Sequence, residues 1–168
     1  MRPTIALTLL LCTLVTTPAC RVSAPDQEAL KTEVDAALGS FVAELVAERP
    51  ADAAAYTERL RVYLEAHPAF YGSAAALLDE AGNVTASPYV YRTADGYHTL
   101  DLAQPEYNIE AQDWITMPLA ANAGVWTPPY FDAGGGEIWM ITRSVPARDA
   151  EGIFAIVTTD LPVEAPTQ

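Results

Sequence analysis

Few side chains in this 168-residue chain lend themselves to chemistry, and they are scattered. Its two cysteines, Cys12 and Cys20, both precede Arg21, so the body of the chain offers no thiol nucleophile, thiolate ligand or disulfide. The serines form no Gly-x-Ser-x-Gly elbow. His67 stands before Pro68 and reads as a loop residue, and His98 has no second histidine near enough in sequence to suggest a metal pair. Gly134-Gly135-Gly136 precedes a strand, so no helix N-terminus follows to receive a phosphate. That triplet reads as a wide hairpin or a lid hinge. Asp132 follows Tyr130 in a Pro/Gly-rich turn, where aspartate often only caps the backbone. Asp160 ends an apolar strand, where simple exposure would explain it. Tyr107 and Trp114 read by type alone as core aromatics. No catalytic constellation, metal site or cofactor site emerges, and no enzyme is expected.

Charge narrows the partners. The chain carries Lys+Arg 9 against Asp+Glu 22, a formal net charge of −13, with Lys31 its single lysine and no basic run. Nucleic-acid affinity depends on clustered Lys and Arg releasing counterions, so a nucleic-acid partner is excluded. Hydrophobic residues make up 51%, a globular composition, and the length suits one domain.

The elements that must position these residues follow from periodicity. Pro25 is a natural helix start, and Leu30, Val34, Leu38, Phe41 and Leu45 then recur at three- and four-residue steps. That predicts a long amphipathic helix ending before Arg49-Pro50. A second helix is expected from Asp52 to Ala66, with Tyr56, Leu60, Tyr63 and Leu64 as its buried stripe. After Pro68 the pattern turns to strands: 73–78, 84–91, 97–102, 137–145 and 153–160, with Asp95-Gly96 as a two-residue hairpin signal. A short helix is expected over 113–122. Two helices before an antiparallel series predict an α+β fold, with the sheet packed against the long helix.

The first residues form an address. Met1-Arg2, the apolar run from Ile5 to Val15 and the small residues Thr16 to Cys20 have the plan of a secretory signal. The stretch ending at Cys20 resembles a bacterial lipobox, in which cleavage leaves that cysteine lipidated; it departs at Thr17, where the family usually has an aliphatic residue. The expected organisation is a lipoprotein-type signal at 1–19, a short linker at 20–25, one domain at 26–161 and a tail at 162–168. The protein is then exported and lipid-anchored, facing the periplasm or cell surface, with a soluble periplasmic form as the alternative.

An ordered series of segments carries a family resemblance. Phe70-Tyr71-Gly72-Ser73-Ala74 and Ser87-Pro88-Tyr89-Val90-Tyr91-Arg92 are similar to the first strands of the extracytoplasmic Cache (PAS-like, PDC) sensor domains. Tyr107 to Trp114 resembles the segment that closes over the ligand. Pro128-Pro129-Tyr130-Phe131-Asp132, Gly134-Gly135-Gly136, Ile138 to Val145 and Ile153 to Leu161 resemble the remaining turn and strands. The resemblance implies a PAS-like antiparallel sheet behind a long N-terminal helix, and a small-molecule-binding sensor that reports to a membrane signalling protein.

It also implies a pocket with two halves. In relatives that bind amino acids, an Arg and a Tyr of the closing segment grip the carboxylate, while a Tyr and two Asp surround the ammonium. This chain matches at Tyr107, Trp114, Tyr130, Asp132 and Asp160, but has Gln112 where the Arg would stand and Ile115 where a Tyr would follow the Trp. Two carboxylates with aromatic faces favour a cation, whereas a neutral amide holds a carboxylate poorly. The ligand expected is a small amine or other organic cation in preference to a free amino acid. Calcium would need a closer cluster of oxygen ligands. The alternative is a structural or interaction lipoprotein whose Cache-like pocket has degenerated.

Overall fold

The computed structural model describes residues 27–166, so the leader, the linker and Cys20 lie outside the described residues. Helix α1 (Gln27–Ala47) buries Val34, Leu38, Phe41 and Leu45 of the expected stripe and adds Val42, while Leu30 is half-buried against the same core. Helix α2 (Ala53–Ala66) starts at Asp52, whose carboxylate accepts the Ala55 N–H at 2.9 Å. It ends at His67 because Pro68 bars a further turn. Its buried residues are Tyr56, Leu60, Tyr63 and Leu64, again as expected. Among the described residues no helix is long and apolar enough to cross a membrane.

The strands are β1 (Gly72–Leu78), β2 (Val84–Ala86), β3 (Pro88–Thr93), β4 (Gly96–Asp101), β5 (Val125–Trp126), β6 (Tyr130–Phe131), β7 (Trp139–Arg148) and β8 (Ile153–Pro162). They form one antiparallel sheet in the order β4-β3-β1-β8-β7-β5, with β2 paired to β1 and β6 to β7. Between β4 and β5 come two 3-10 turns, Pro105–Tyr107 and Ile109–Ala111, and helix α3 (Asp113–Ala121). Helix α1 packs on β7 and β8, and α2 on β3 and β1. The fold is α+β, as its element order predicts.

Three local expectations change. The strand expected over 84–91 is broken at Ser87, whose N–H is drawn to Asp101 Oδ1 at 2.8 Å and whose carbonyl takes the Leu102 N–H. The hairpin loop is Ala94-Asp95, one residue earlier than expected, because Gly96, at φ 125°, pairs with Thr93 as the first residue of β4. Strand β8 runs to Pro162, and the Val163 N–H bonds the Trp139 carbonyl, so the ladder passes the expected boundary at Leu161.

The sheet is covered on both faces. Along each strand alternate side chains point to opposite sides. Ala75, Val90, Ile141, Ala155, Val157 and Leu161 join Phe70 and the two helices in one core. Ala74, Ala76, Tyr89 and Ile156 face the other way, against Leu102, Tyr107, Ile109, Trp114 and Ile115. The period of two carries Thr158 and Asp160 to this second face with Ile156. That face holds the site.

Candidate ligand site

Three segments close over the second face. The turn ending at Tyr107 is locked by Asn108, held in the left-handed conformation at φ 49°. Helix α3 supplies Trp114, and β6 with the loop after it supplies Tyr130 and Asp132. Together with Ala74, Tyr89, Leu102, Thr158 and Asp160 they enclose a cavity of about 10 Å³, the room of a single water-sized group. Five of the six expected site residues therefore meet in one place: Tyr107, Trp114, Tyr130, Asp132 and Asp160. Gln112 does not join them. Its Nε2 donates to the Tyr107 carbonyl at 2.9 Å, so it fastens the closing segment and lies outside the cavity lining.

Both aspartates are buried, Asp132 at 4% and Asp160 at 3% exposure, which settles Asp160 against simple exposure. Each sits at the end of a proton-directed chain. The Trp114 indole N–H donates to the Tyr107 hydroxyl at 3.1 Å, and that hydroxyl donates to Asp132 Oδ1 at 2.6 Å. Opposite, Thr142 Oγ1 donates to Asp160 Oδ1 at 2.8 Å. A threonine hydroxyl has one proton, so the Tyr130 hydroxyl, 2.8 Å from Thr142 Oγ1, must be the donor there. Burial pushes the phenols of Tyr107 and Tyr130 well up, and the aspartate charges push them further, so both stay protonated donors.

The two carboxylates differ in how well they are served. Asp132 Oδ2 also accepts the Gly136 N–H at 2.6 Å, and its carbonyl takes the N–H groups of Gly135 and Glu137. The Gly134-Gly135-Gly136 triplet is thus a loop wrapped on Asp132. A Cβ on Gly135 would fall 2.2 Å from Asp132 Oδ2. Asp132 thus caps its turn, as expected from the sequence, and also lines the cavity.

Asp160 has one bonded donor, and burial followed by the charge of Asp132 pushes its carboxyl up to about 7, against the pull of Thr142 and Tyr89. Tyr89 was not singled out from the sequence, where it reads as one of several strand aromatics. It is 1% exposed, yet its hydroxyl makes no hydrogen bond. The O–H lies close enough to favour ionised Asp160 without being seated on it. Both atoms crowd Gly72: a Cβ there would lie 2.6 Å from Tyr89 Oη and 2.8 Å from Asp160 Oδ2. Gly72→Ala is expected to cost about 1–3 kcal/mol, since neither neighbour can retreat in a packed core. Chemical denaturation measures it, and a variant as stable as the parent would show the corner to be loose.

Among the described residues no Lys, Arg or His lines the cavity. The described basic side chains near the sheet are committed elsewhere: Arg92 to the carbonyls of Leu64, His67 and Phe70, Arg143 to Asp35 and Arg148 to Asn122. His98 bonds the Tyr91 hydroxyl. Among the described residues no group of His, Cys, Asp and Glu is arranged to hold a metal ion. A larger open groove, about 520 Å³, runs between α1 and α2. Its charged residues pair across it, Arg59 with Glu44 and His67 beside Glu33, and nothing converges on its floor.

Comparison with known proteins decides the family. Residues 56–166 match the family model described as the methyl-accepting chemotaxis protein-like first PDC sensor domain. The chain belongs to this family. The PDC fold is shared with the extracellular domain of soHK1S-Z6, a protein described as a histidine kinase, at 26% identity and TM-score 0.63, covering 81% of this chain and 54% of that one. It is shared too with the ligand-binding domain of the Campylobacter jejuni chemoreceptor Tlp3 in complex with L-valine, at 15% identity and TM-score 0.62, covering 81% and 54%. At that identity the likeness to Tlp3 is one of fold. This chain spans about half the length of the solved chains it matches. No curated protein matches it in sequence. The PDC domain seen here is a sensor-type ligand-binding domain.

Proposed function

We propose that this PDC domain is an exported sensor module, tethered by lipid at Cys20, that reads a small amine or other organic cation and reports to a separate membrane signalling protein. One observation carries the ligand class: two buried carboxylates share a cavity in whose lining no described residue is basic. Buried charge without a counter-charge is costly, and an ammonium group offsets it through charge-assisted hydrogen bonds. The faces of Trp114, Tyr107 and Tyr130 add cation–π attraction. The cavity is the size of an ammonium head. On the carboxylate side, Gln112 is spent on a backbone carbonyl and Ile115 is apolar and 3% exposed, so nothing there grips an α-carboxylate. The ligand class proposed differs from the L-valine bound to the Tlp3 domain.

Calorimetric titration with an amine panel and an amino-acid panel tests the reading. Amines should bind at micromolar levels and free amino acids should not; tight binding of amino acids alone sinks it. A second reading, a structural or interaction lipoprotein with a degenerate pocket, draws support from the cavity's small volume. Under that reading no small molecule raises the melting temperature, whereas a ligand bound only to the folded state must raise it.

A further inference from the structure

We propose that the cavity also reads acidity: in the absence of a cation Asp160 takes up a proton at Oδ2, so a proton is a second input to the same site. The uptake itself does not depend on the amine reading; the competition drawn from it below does.

Geometry assigns the proton to one carboxylate. Asp132 is bonded at both oxygens, by the Tyr107 hydroxyl and the Gly136 N–H, each at 2.6 Å. Asp160 is bonded only at Oδ1, by Thr142. Donors favour the charged form, so the carboxylate with fewer of them, Asp160, is the one that takes the proton, and the charge of Asp132 falls on it. Oδ2 of Asp160 has no bonded donor and crowds Gly72 together with the unpartnered Tyr89 hydroxyl, so a proton there sits beside a buried oxygen that makes no hydrogen bond.

Among the described titratable groups facing Asp160, Asp132 opposes its ionisation, the Tyr89 O–H favours it, and the other phenols are neutral. These groups are Asp132 after β6, Tyr130 on β6, Tyr89 on β3, Tyr107 in the first 3-10 turn, and Tyr71, whose N–H bonds the Asp160 carbonyl. From the helix side, Tyr63 of α2 reaches Thr159 and is itself a neutral phenol. Burial first, and then the Asp132 charge, carries the Asp160 carboxyl up to about 7.

An ammonium and this proton are alternative neutralisers, so amine binding expels the proton. With a midpoint near 7, affinity for an amine should fall roughly 30-fold between pH 8 and pH 5.5.

Carbon-13 NMR of aspartate carboxyls in the ligand-free chain tests the proton uptake. One carboxyl should titrate near pH 7, vanish in Asp160→Asn and move to lower pH in Asp132→Asn, which removes the neighbouring charge. The proposal is overturned if no aspartate titrates above about pH 5.5, or if the one that does survives in Asp160→Asn. The melting temperature of the unsubstituted chain should also rise from pH 8 to pH 5 relative to that of Asp160→Asn; equal slopes overturn it as well. Ethylamine and putrescine are then titrated at pH 8 and 5.5. Binding with equal affinity at both overturns the competition, whereas absence of binding at either pH counts against the amine reading and leaves the NMR result to decide proton uptake.

Discussion

Asp160→Asn is expected to stabilise the ligand-free domain at pH 8 by about 2–4 kcal/mol while abolishing amine binding. The parent carboxyl is raised to about 7 from an ordinary 3.8. The folded chain therefore holds a proton between those values that the unfolded chain has lost. This group contributes its stability in full below about pH 4, and the contribution is lost as pH rises through 7. Raising the carboxyl from 3.8 to about 7 corresponds to about 4 kcal/mol at most, and the amide recovers part of it because Asn keeps the Thr142 bond at Oδ1 and offers an N–H to Tyr89. The gain should vanish toward pH 4, where the parent is already neutral. Guanidinium denaturation at pH 4, 6 and 8 measures it. A variant less stable than the parent at pH 8 would mean that Asp160 is compensated by something the geometry does not show.

Asp132→Ala should move stability the other way, costing about 3 kcal/mol. It strands the Tyr107 hydroxyl and the Gly136 N–H, which now make 2.6 Å bonds to the carboxylate. Bonds to a charged acceptor are each worth about 1.5–3 kcal/mol, and relief of repulsion with Asp160 offsets only part of the loss. The loop from Gly134 to Glu137 folds on this side chain, so its amides should exchange faster with solvent in the variant. Hydrogen exchange together with denaturation checks both expectations; unchanged stability would show that the loop holds itself. The opposite signs separate two acids that sequence alone presents as a pair. Asp132 builds the site, and Asp160 is held in it under electrostatic load.

How far each feature was legible depended on its physical range. The stripes of α1 and α2 are local patterns, and Val34, Leu38, Phe41, Leu45, Tyr56, Leu60, Tyr63 and Leu64 are buried as spacing predicts. Strands β5 and β6, two residues each, are too short for a period to register; they exist because β7 offers them partners. Strand β8 is buried on both faces, so it reads as a continuous apolar run in which Asp160 looks terminal. Tyr89 gave no signal because its distinction lies in a hydrogen bond it does not make. Gln112 was placed by likeness to a ligand-gripping position, and a contact five residues back took its amide instead.

Sequence alone determined the α+β class, the order of helices and strands, the absence of thiol chemistry after Cys20 and the family resemblance. Each of these rests on residue type or on spacing within one element. Only tertiary structure decided that Asp132 and Asp160, 28 positions apart on different elements, share one cavity. It alone decided that no guanidinium among the described residues shares it, and which carboxylate carries the load. Charge is a property of the sequence, but its cost depends on burial, on donors and on the nearest like charge, and these are set by which chain segments meet.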